Sequence, residues 1–242
     1  MSADASPPAV RATYRHGDLR EALVAAGLQM AEAGGPAAVV LREATRRAGV
    51  TPNAAYRHFA DRDALLRAVA DAAQGLAADR MEQAVAAAAR VAGPAADVVA
   101  GPTIGLAKDP AADTAFDPAA GLAADARRML RGVGTGYIAF AREQPGLFRT
   151  AFSVPDHLAN SADPVKAGAL GRTPFQILGA ALDAWAAAGI LPPERRANAE
   201  LYAWSAVHGL GMLVIDGPLR GLSADMVTAA TSRLLDMVER GL

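Results

Sequence analysis

The stretch GVTPNAAYRHFADRDAL, which begins at Gly49, constrains the fold more than any other part of the chain, because one helix ends and two begin within it. Glycine best tolerates the left-handed conformation at a helix C-terminus. Two residues later, Thr51 suits a helix N-cap and Pro52 suits the first helical position. A further cap follows at Asp61, so the helix that begins at Pro52 can hardly extend past Phe59.

Helical patterns flank this stretch on both sides. The segment GDLREALVAAGLQMAEAGG has Asp18 as an N-cap, apolar residues at helical spacing and two glycines as a stop, which predicts a helix. A second helix is predicted at about residues 41–48, and the helix after Asp61 runs toward Arg90. Residues 1–13 are small, contain proline and lack periodicity, which indicates a flexible arm.

The second half of the sequence predicts further helices around two loose segments, residues 93–117 and 153–173. Between them, a helix capped by Asp117 and ended by Pro145 contains three glycines, which mark either a kink or a close helix contact: Gly132, Gly134 and Gly136. A short GLFRTAF turn follows it. Three more helices are predicted from PFQILGAALDAWAAAGI, ERRANAELYAWSAVHGLGMLVID and SADMVTAATSRLLDMVERG. No segment alternates convincingly as a strand, so the predicted fold class is all-α.

Composition limits the possible partners. The 242 residues are 52% apolar, enough for a sizeable core, while 24 Lys and Arg nearly balance 25 Asp and Glu. Attraction to nucleic acid must therefore be local. The absence of cysteine excludes disulfides and thiolate metal sites. Neither a signal peptide nor an uncharged apolar run of about 18 residues is present, so we expect a cytoplasmic protein.

Two helices joined by a turn of roughly four residues predict a helix-turn-helix, although antiparallel helix pairs are common in α-proteins. The content of the second helix favours DNA binding. A structural helix would show apolar stripes beside solvated Glu and Lys, whereas this one has no acid and offers Asn53, Tyr56, Arg57 and His58. Such side chains suit phosphates and base edges.

Residues 14–71 resemble the N-terminal DNA-binding domain of the TetR family of bacterial transcription repressors. The most specific part is Tyr-Arg-His-Phe followed, one residue on, by Asp-Arg-Asp-Ala-Leu-Leu. The segment WSAVHGLGML is similar to the Trp-x-x-x-His-Gly signature of one subgroup's C-terminal domain, and EQPGLFRTAF matches its middle region. The resemblance implies a three-helix DNA-binding domain at 14–71 and a larger ligand-binding and dimerisation domain at 72–242.

The resemblance also implies a function. The protein is expected to be a homodimer that binds double-stranded DNA at a palindromic operator, represses transcription, and is released by a small-molecule effector. Carried over by position, the predicted DNA contacts are Arg15, Arg42, Thr51, Pro52, Asn53, Ala54, Tyr56, Arg57, His58 and Arg62. In this sequence Thr45 replaces the family's usual alanine, and Val40 replaces the usual Ser or Thr cap.

The expected effector pocket lies between helices, where large pockets of α-proteins form. Its candidate residues are Tyr137, Phe140, Phe148, Trp185, Trp204, His208 and Met212. His208 shares a helix face with Trp204, and a packed, hydrogen-bonded histidine is favoured over a ligand contact there. Residues 174–190 and 194–215 are expected to form the dimer seam.

Several residues keep a second interpretation. Tyr56 fits either a phosphate contact or a core aromatic, and Arg57 either a DNA contact or a solvated face. Phe59 and Leu65 are expected in the core. The four histidines do not have metal-ligand spacing, so no metal or cofactor is predicted.

Two other functions fit the sequence less well. A helical enzyme that transforms small molecules lacks a recognisable motif here, since no phosphate loop, nucleophile elbow or cysteine nucleophile is present and no catalytic residue is predicted. A non-specific architectural DNA binder fits poorly, because the chain has only two lysines and a net charge of -1.

Overall fold

The computed structural model describes residues 16–91 and 118–242. The predicted arm at 1–13, the predicted DNA contact Arg15, the loose segment at 93–117 and the predicted cap Asp117 lie outside the described residues. Within them the chain is helical and contains no β-strand, as the sequence predicts.

The N-terminal part has four helices. They are α1 (His16–Gly34), α2 (Leu41–Arg47), α3 (Pro52–Tyr56) and α4 (Arg62–Val91), with a short 3-10 turn at Pro36–Ala38. The predicted cap of α4 is confirmed, since Ala64 N donates to Asp61 Oδ1 at 2.7 Å. Thr51 stands at the N-cap of α3, but its side chain makes no capping bond there. Val40 likewise leaves α2 without a side-chain cap.

The C-terminal part adds six described helices: α5 (Pro118–Glu143), α6 (Pro145–Ala151), α7 (Pro174–Ala187), α8 (Pro193–Arg196), α9 (Ala199–Ile215) and α10 (Ala224–Gly241). Two predictions need correction. GLFRTAF is largely helix α6 rather than a turn, because Pro145 suits a first helical position as well as it ends α5. The predicted helix from residue 194 is interrupted at Asn198, whose left-handed φ of 60° separates α8 from α9.

Helices α4 and α5 form the centre of the molecule. A Cβ on Gly136 would stand 2.7 Å from the α-carbon of Met81, and one on Gly132 would stand 2.9 Å from that of Val85. The glycines therefore mark a close helix contact, and α5 continues through them without interruption. Since α4 is also continuous across residue 71, the predicted domain boundary falls inside a helix rather than in a linker.

Candidate DNA-binding surface and internal cavity

The turn between α2 and α3 is closed by backbone hydrogen bonds around Gly49. Val50 N donates to the carbonyl of Thr45 at 3.1 Å, and Gly49 N donates to that of Arg46 at 3.3 Å. Gly49 has a φ of 67°, which side chains with a Cβ adopt only with strain. This geometry fixes where α3 begins relative to α2 and completes a helix-turn-helix.

One face of α3 holds the helix in place, and the opposite face is open. Ala55 and Phe59 are buried, and the Arg20 guanidinium lies 5.3 Å from the centre of the Phe59 ring. Tyr56 is 58% exposed, which rules out the core interpretation. The predicted contact residues Thr51, Pro52, Asn53 and Arg57 are also exposed, whereas Ala54 and His58 are half-buried.

The arginines near α3 differ in whether their side chains are already bonded to other protein groups. Glu43 accepts hydrogen bonds from Arg46 and Arg47, and these lower the pKa of its carboxyl to about 2. Arg42, on the same helix, is exposed and bonds to no other side chain among the described residues. Arg42 and Arg57 are therefore the cations that are most available to phosphates on this surface.

Arg62 has a different environment from the one that the sequence suggests. Its Nε donates to the carbonyl of Val39 at 2.8 Å, and its Nη2 donates to that of Pro36 at 2.7 Å. The guanidinium thus ties the start of α4 to the segment that leads into α2. This geometry favours a structural role over the predicted phosphate contact.

A cavity of about 520 Å³ lies in the C-terminal part, between α4, α5, α7, α9, α10 and the segment after α6. Such a volume falls in the range of about 300–1,000 Å³ that suits small-molecule ligands. Most of the wall is apolar and includes Met81, Leu130, Val133, Leu178, Val207 and Leu235.

Three of the predicted pocket residues, Tyr137, Trp204 and His208, line this cavity. The other four predicted residues do not line it. Phe140, Phe148 and Trp185 are buried in the surrounding core, while Met212 is 37% exposed on the outer face of α9. Phe148 lies directly behind the wall, with its ring 5.5 Å from that of His208 and 5.3 Å from that of Tyr137.

The three lining residues form one hydrogen-bonded group. Trp204 Nε1 donates to Tyr137 Oη at 3.0 Å, and Tyr137 Oη lies 2.8 Å from His208 Nδ1. Burial raises the pKa of the Tyr137 phenol and lowers that of the His208 imidazole, so both are neutral near pH 7. His208 is accordingly both a packed, hydrogen-bonded residue and part of the cavity wall.

Other lining residues could not be found from the sequence. Phe152 and Phe175 flank the aperiodic segment 153–173, which supplies part of the wall through Val154, Leu158 and Lys166. The segment is held by an ion pair between the buried Lys166 and the more exposed Asp156. Proximity of two charges ten residues apart in a loop leaves no periodic signal in a sequence.

Two helices connect the cavity to the DNA-binding part. Gln74 and Met81 of α4 line the cavity, and the same helix begins at Arg62, whose guanidinium bonds to the segment that leads into α2. Ala151 at the end of α6 also lines it, and Gln74 Nε2 donates to the Ala151 carbonyl at 3.0 Å. The start of α6 packs against α1 through Gly146, so α6 spans the distance from cavity to α1.

The outer side of α9 and α10 carries apolar residues that the described part of the chain leaves partly or largely exposed. The α9–α10 face comprises Tyr202, Leu210, Leu213, Met226, Leu234 and Met237, of which Tyr202, Met226 and Met237 are more than half exposed. By contrast, the large apolar residues of α7, such as Ile177, Leu182 and Trp185, are buried within the protomer.

Other site types find little support in the described residues. Residues 16–91 and 118–242 contain no cluster of three or more side chains that could hold a metal ion. No helix in this described part is long and apolar enough to cross a membrane.

Comparison with known proteins identifies the class. Residues 23–69 match the model of the bacterial regulatory proteins of the tetR family, and residues 130–238 match that of the tetracyclin repressor-like C-terminal domain. The first match contains the whole helix-turn-helix, and the second contains most of the cavity wall. The chain belongs to the TetR family and is a DNA-binding transcriptional regulator rather than an enzyme.

A solved structure shares the fold. A protein of unknown function from Rhodococcus sp. RHA1 is 24% identical, covers 96% of this chain and 99% of its own, and superposes with a TM-score of 0.61. A proposed TetR-family transcriptional regulator from Mesorhizobium loti MAFF303099 is 15% identical over 94% of this chain and 96% of its own, with a TM-score of 0.45. No curated protein sequence matches the chain significantly.

Proposed function

We propose that the protein is a homodimeric repressor that binds a palindromic operator and releases it when a small molecule fills the cavity. The observation that supports this proposal most strongly is the path of α4, which lines the cavity and begins at the helix-turn-helix. As a DNA-binding regulator of a bacterial family, the protein would act in the cytoplasm.

For DNA recognition, we assign α3 to the major groove. Its first turn carries Thr51, Pro52, Asn53 and Ala54, which would face base edges when the helix enters by its N-terminus. Tyr56, at the end of α3, and His58, two residues beyond it, would contact phosphates, as would Arg42 on α2. Arg57 is available to either group, because its side chain is exposed. Arg15 would add a contact from the preceding arm.

Dimerisation supplies a second recognition helix, which binds the second half-site of the operator. A helix of five residues reads too few base pairs for a genomic site, so a two-fold pair is needed. The α9–α10 face is the best candidate for the seam, because it combines exposed apolar residues on two adjacent helices. In this proposal α10 takes the place of the segment expected at 174–190, because the large apolar residues of α7 are buried within the protomer. Two helices from each protomer would form a four-helix arrangement.

Effector control follows from the two connections. A ligand in the cavity touches α4 at Gln74 and Met81 and α6 at Ala151, so it favours one relative position of these helices. Because α4 begins beside the helix-turn-helix and α6 packs on α1, the spacing of the two recognition helices changes with them. The ligand changes the equilibrium between the DNA-bound and DNA-free forms only by the ratio of its affinities for these two forms.

The test begins with selection of DNA by the purified protein from a random pool, which should yield a two-fold symmetric sequence. Small molecules are then screened for loss of binding to that sequence. Leu178→Trp, which fills part of the cavity, should abolish the response, whereas Leu170→Trp at an exposed position should not. A selected site without symmetry, or an unchanged response in Leu178→Trp, would contradict the proposal.

A further inference from the structure

The proton arrangement of the Tyr137–His208–Trp204 group determines what the cavity offers to a ligand. Tyr137 Oη accepts the indole proton of Trp204, so the phenol's own proton needs an acceptor in a site that is almost fully buried. His208 Nδ1, 2.8 Å away, is the acceptor within reach. If Nδ1 carried a proton instead, two donors would point at one oxygen and the phenol proton would have no partner, which is unfavourable in a buried site.

His208 must then carry its proton on Nε2. This nitrogen bonds to no described residue, and it is not a buried orphan either, since Trp185 Nε1 is the one buried, unpaired side-chain polar atom within the described ranges. Phe148 and Phe152 hold the ring, with centroids 5.5 and 5.0 Å from that of His208. Because His208 lines the cavity, its Nε2–H is a fixed donor on an apolar wall.

The charges in the wall compensate one another. Asp156 and Lys166 are the two fully charged side chains that line the cavity within the described residues, and they pair with each other. Lys166 Nζ also donates to the Asn160 carbonyl at 2.9 Å, and Asp156 Oδ1 also accepts from Asn160 Nδ2 and His157 N, each at 2.7 Å. A charged ligand would therefore enter a wall whose two ions are already paired with each other, and it would lose hydration without an unpaired counter-ion.

Resting on the effector function proposed above, we infer that the cavity takes an uncharged, largely apolar molecule whose one essential polar atom is an acceptor for the Nε2–H of His208. Ketones, ethers and esters are such molecules. Apolar contacts with residues such as Leu130 and Leu178 supply most of the affinity, and the single hydrogen bond sets the orientation.

The test uses four probes on one skeleton: benzophenone, diphenylmethane, diphenylacetate and benzhydrylamine. Calorimetric titration of the full chain at pH 7.5 should give roughly three- to tenfold tighter binding of benzophenone than of diphenylmethane, the worth of one neutral hydrogen bond. Diphenylacetate and the benzhydrylammonium ion should bind more weakly than both. Binding of either ion more tightly than benzophenone would overturn the inference and leave an effector pocket in place.

Variants assign the preference to one residue. His208→Phe keeps the ring between its aromatic neighbours but lacks the donor, so its preference for benzophenone should vanish. His208→Gln retains an N–H donor and should keep part of the preference for benzophenone. Leu170→Phe, at an exposed position outside the cavity, should match the wild type. An undiminished preference in His208→Phe would overturn the inference.

Spectroscopy provides a second measurement that needs no variant. In the ¹⁵N-labelled protein, the imidazole spectrum of His208 should show the Nε2–H tautomer. The resonance of its Nε2 proton should change on addition of benzophenone but not of diphenylmethane. An Nδ1–H tautomer would overturn the inference. Absence of binding by all four probes, together with operator affinity that no compound shifts, would instead remove the effector pocket itself.

Discussion

The α-carbon of Gly146, in the first turn of α6, packs so closely on the Ala31 carbonyl near the end of α1 that no β-carbon fits between them. Gly146→Ala should therefore move α6 relative to α1 and lower the free energy of unfolding by about 1–3 kcal/mol. It should also change operator affinity, because α1 packs against both helices of the helix-turn-helix. Denaturant unfolding and DNA titration measure the two effects.

Gly121→Ala is the matched control for Gly146→Ala. A Cβ at Gly121 meets no atom within 4 Å, so the substitution should leave both quantities nearly unchanged or raise stability slightly. Equal effects of the two substitutions would show that α6 and α1 are not coupled through this contact.

Asn53→Ala and Tyr56→Phe should separate the two kinds of DNA contact on α3. Removal of the Asn53 amide should relax base preference at particular operator positions, each groove contact contributing about 1–3 kcal/mol of discrimination. Removal of the Tyr56 hydroxyl should weaken binding to every sequence alike, because phosphates carry no base information. Affinity for a panel of single-base operator variants distinguishes the outcomes, and the reverse pattern would mean that α3 docks differently.

Arg42→Gln should reduce the salt dependence of operator binding. One lost phosphate contact lowers the slope of log affinity against log salt by about 0.9 per protomer. Arg127→Gln, an exposed arginine on α5, is the control and should leave the slope unchanged. An equal change in both variants would indicate a general charge effect rather than a contact of Arg42.

Arg62→Ala should act on stability rather than on the salt slope. It removes two hydrogen bonds to the carbonyls of Pro36 and Val39, which together contribute about 1–2 kcal/mol for a side chain that is 43% exposed. Thermal unfolding should show the loss, and titration of DNA across salt concentrations should show the slope of the wild type. A reduced slope with unchanged stability would restore the phosphate contact that the sequence suggests.

The helix limits could be predicted from the sequence, whereas the two backbone hydrogen bonds of Arg62 could not, and the physical reasons differ. Caps, glycines and prolines act within a few residues, so the limits of α2 and α3 and the Asp61 cap could be predicted from the sequence. The carbonyls that Arg62 bonds lie 23 and 26 residues away in the chain. Contacts over such separations leave no periodic pattern in the sequence, so they could not be predicted from it.

The cavity was predictable in kind but only partly in its lining. Tyr137, Trp204 and His208 stood out as large residues on helices, yet Phe148 and Trp185 share those properties and are packed into the core. Which side of a helix faces an empty space depends on the packing of all its neighbours. The contribution of residues 153–173 depends on the Lys166–Asp156 pair, which a loop sequence does not specify.

Gly209→Leu should weaken the dimer. Gly209 is exposed on α9, and a Cβ there meets no atom of the protomer within 4 Å, so folding of one chain tolerates the change. In a dimer through the α9–α10 face the added side chain would occupy the seam. Sedimentation should show a raised dimer dissociation constant, whereas Gly121→Leu on α5 should sediment like the wild type. A dimer of unchanged strength in Gly209→Leu would place the seam elsewhere.

The stability of the protein should depend on pH through His208. Burial lowers the pKa of its imidazole below the ordinary value of 6.5, so the unfolded chain binds a proton at a higher pH than the folded chain does. The free energy of unfolding is unaffected well above pH 6.5, and it falls as the pH decreases through that value until the folded state is protonated as well. Protonation also removes the acceptor that Nδ1 offers to Tyr137. Denaturant unfolding between pH 8 and 5 should therefore show a smaller decrease in His208→Gln than in the wild type. Parallel curves for the wild type and His208→Gln would contradict the lowered pKa.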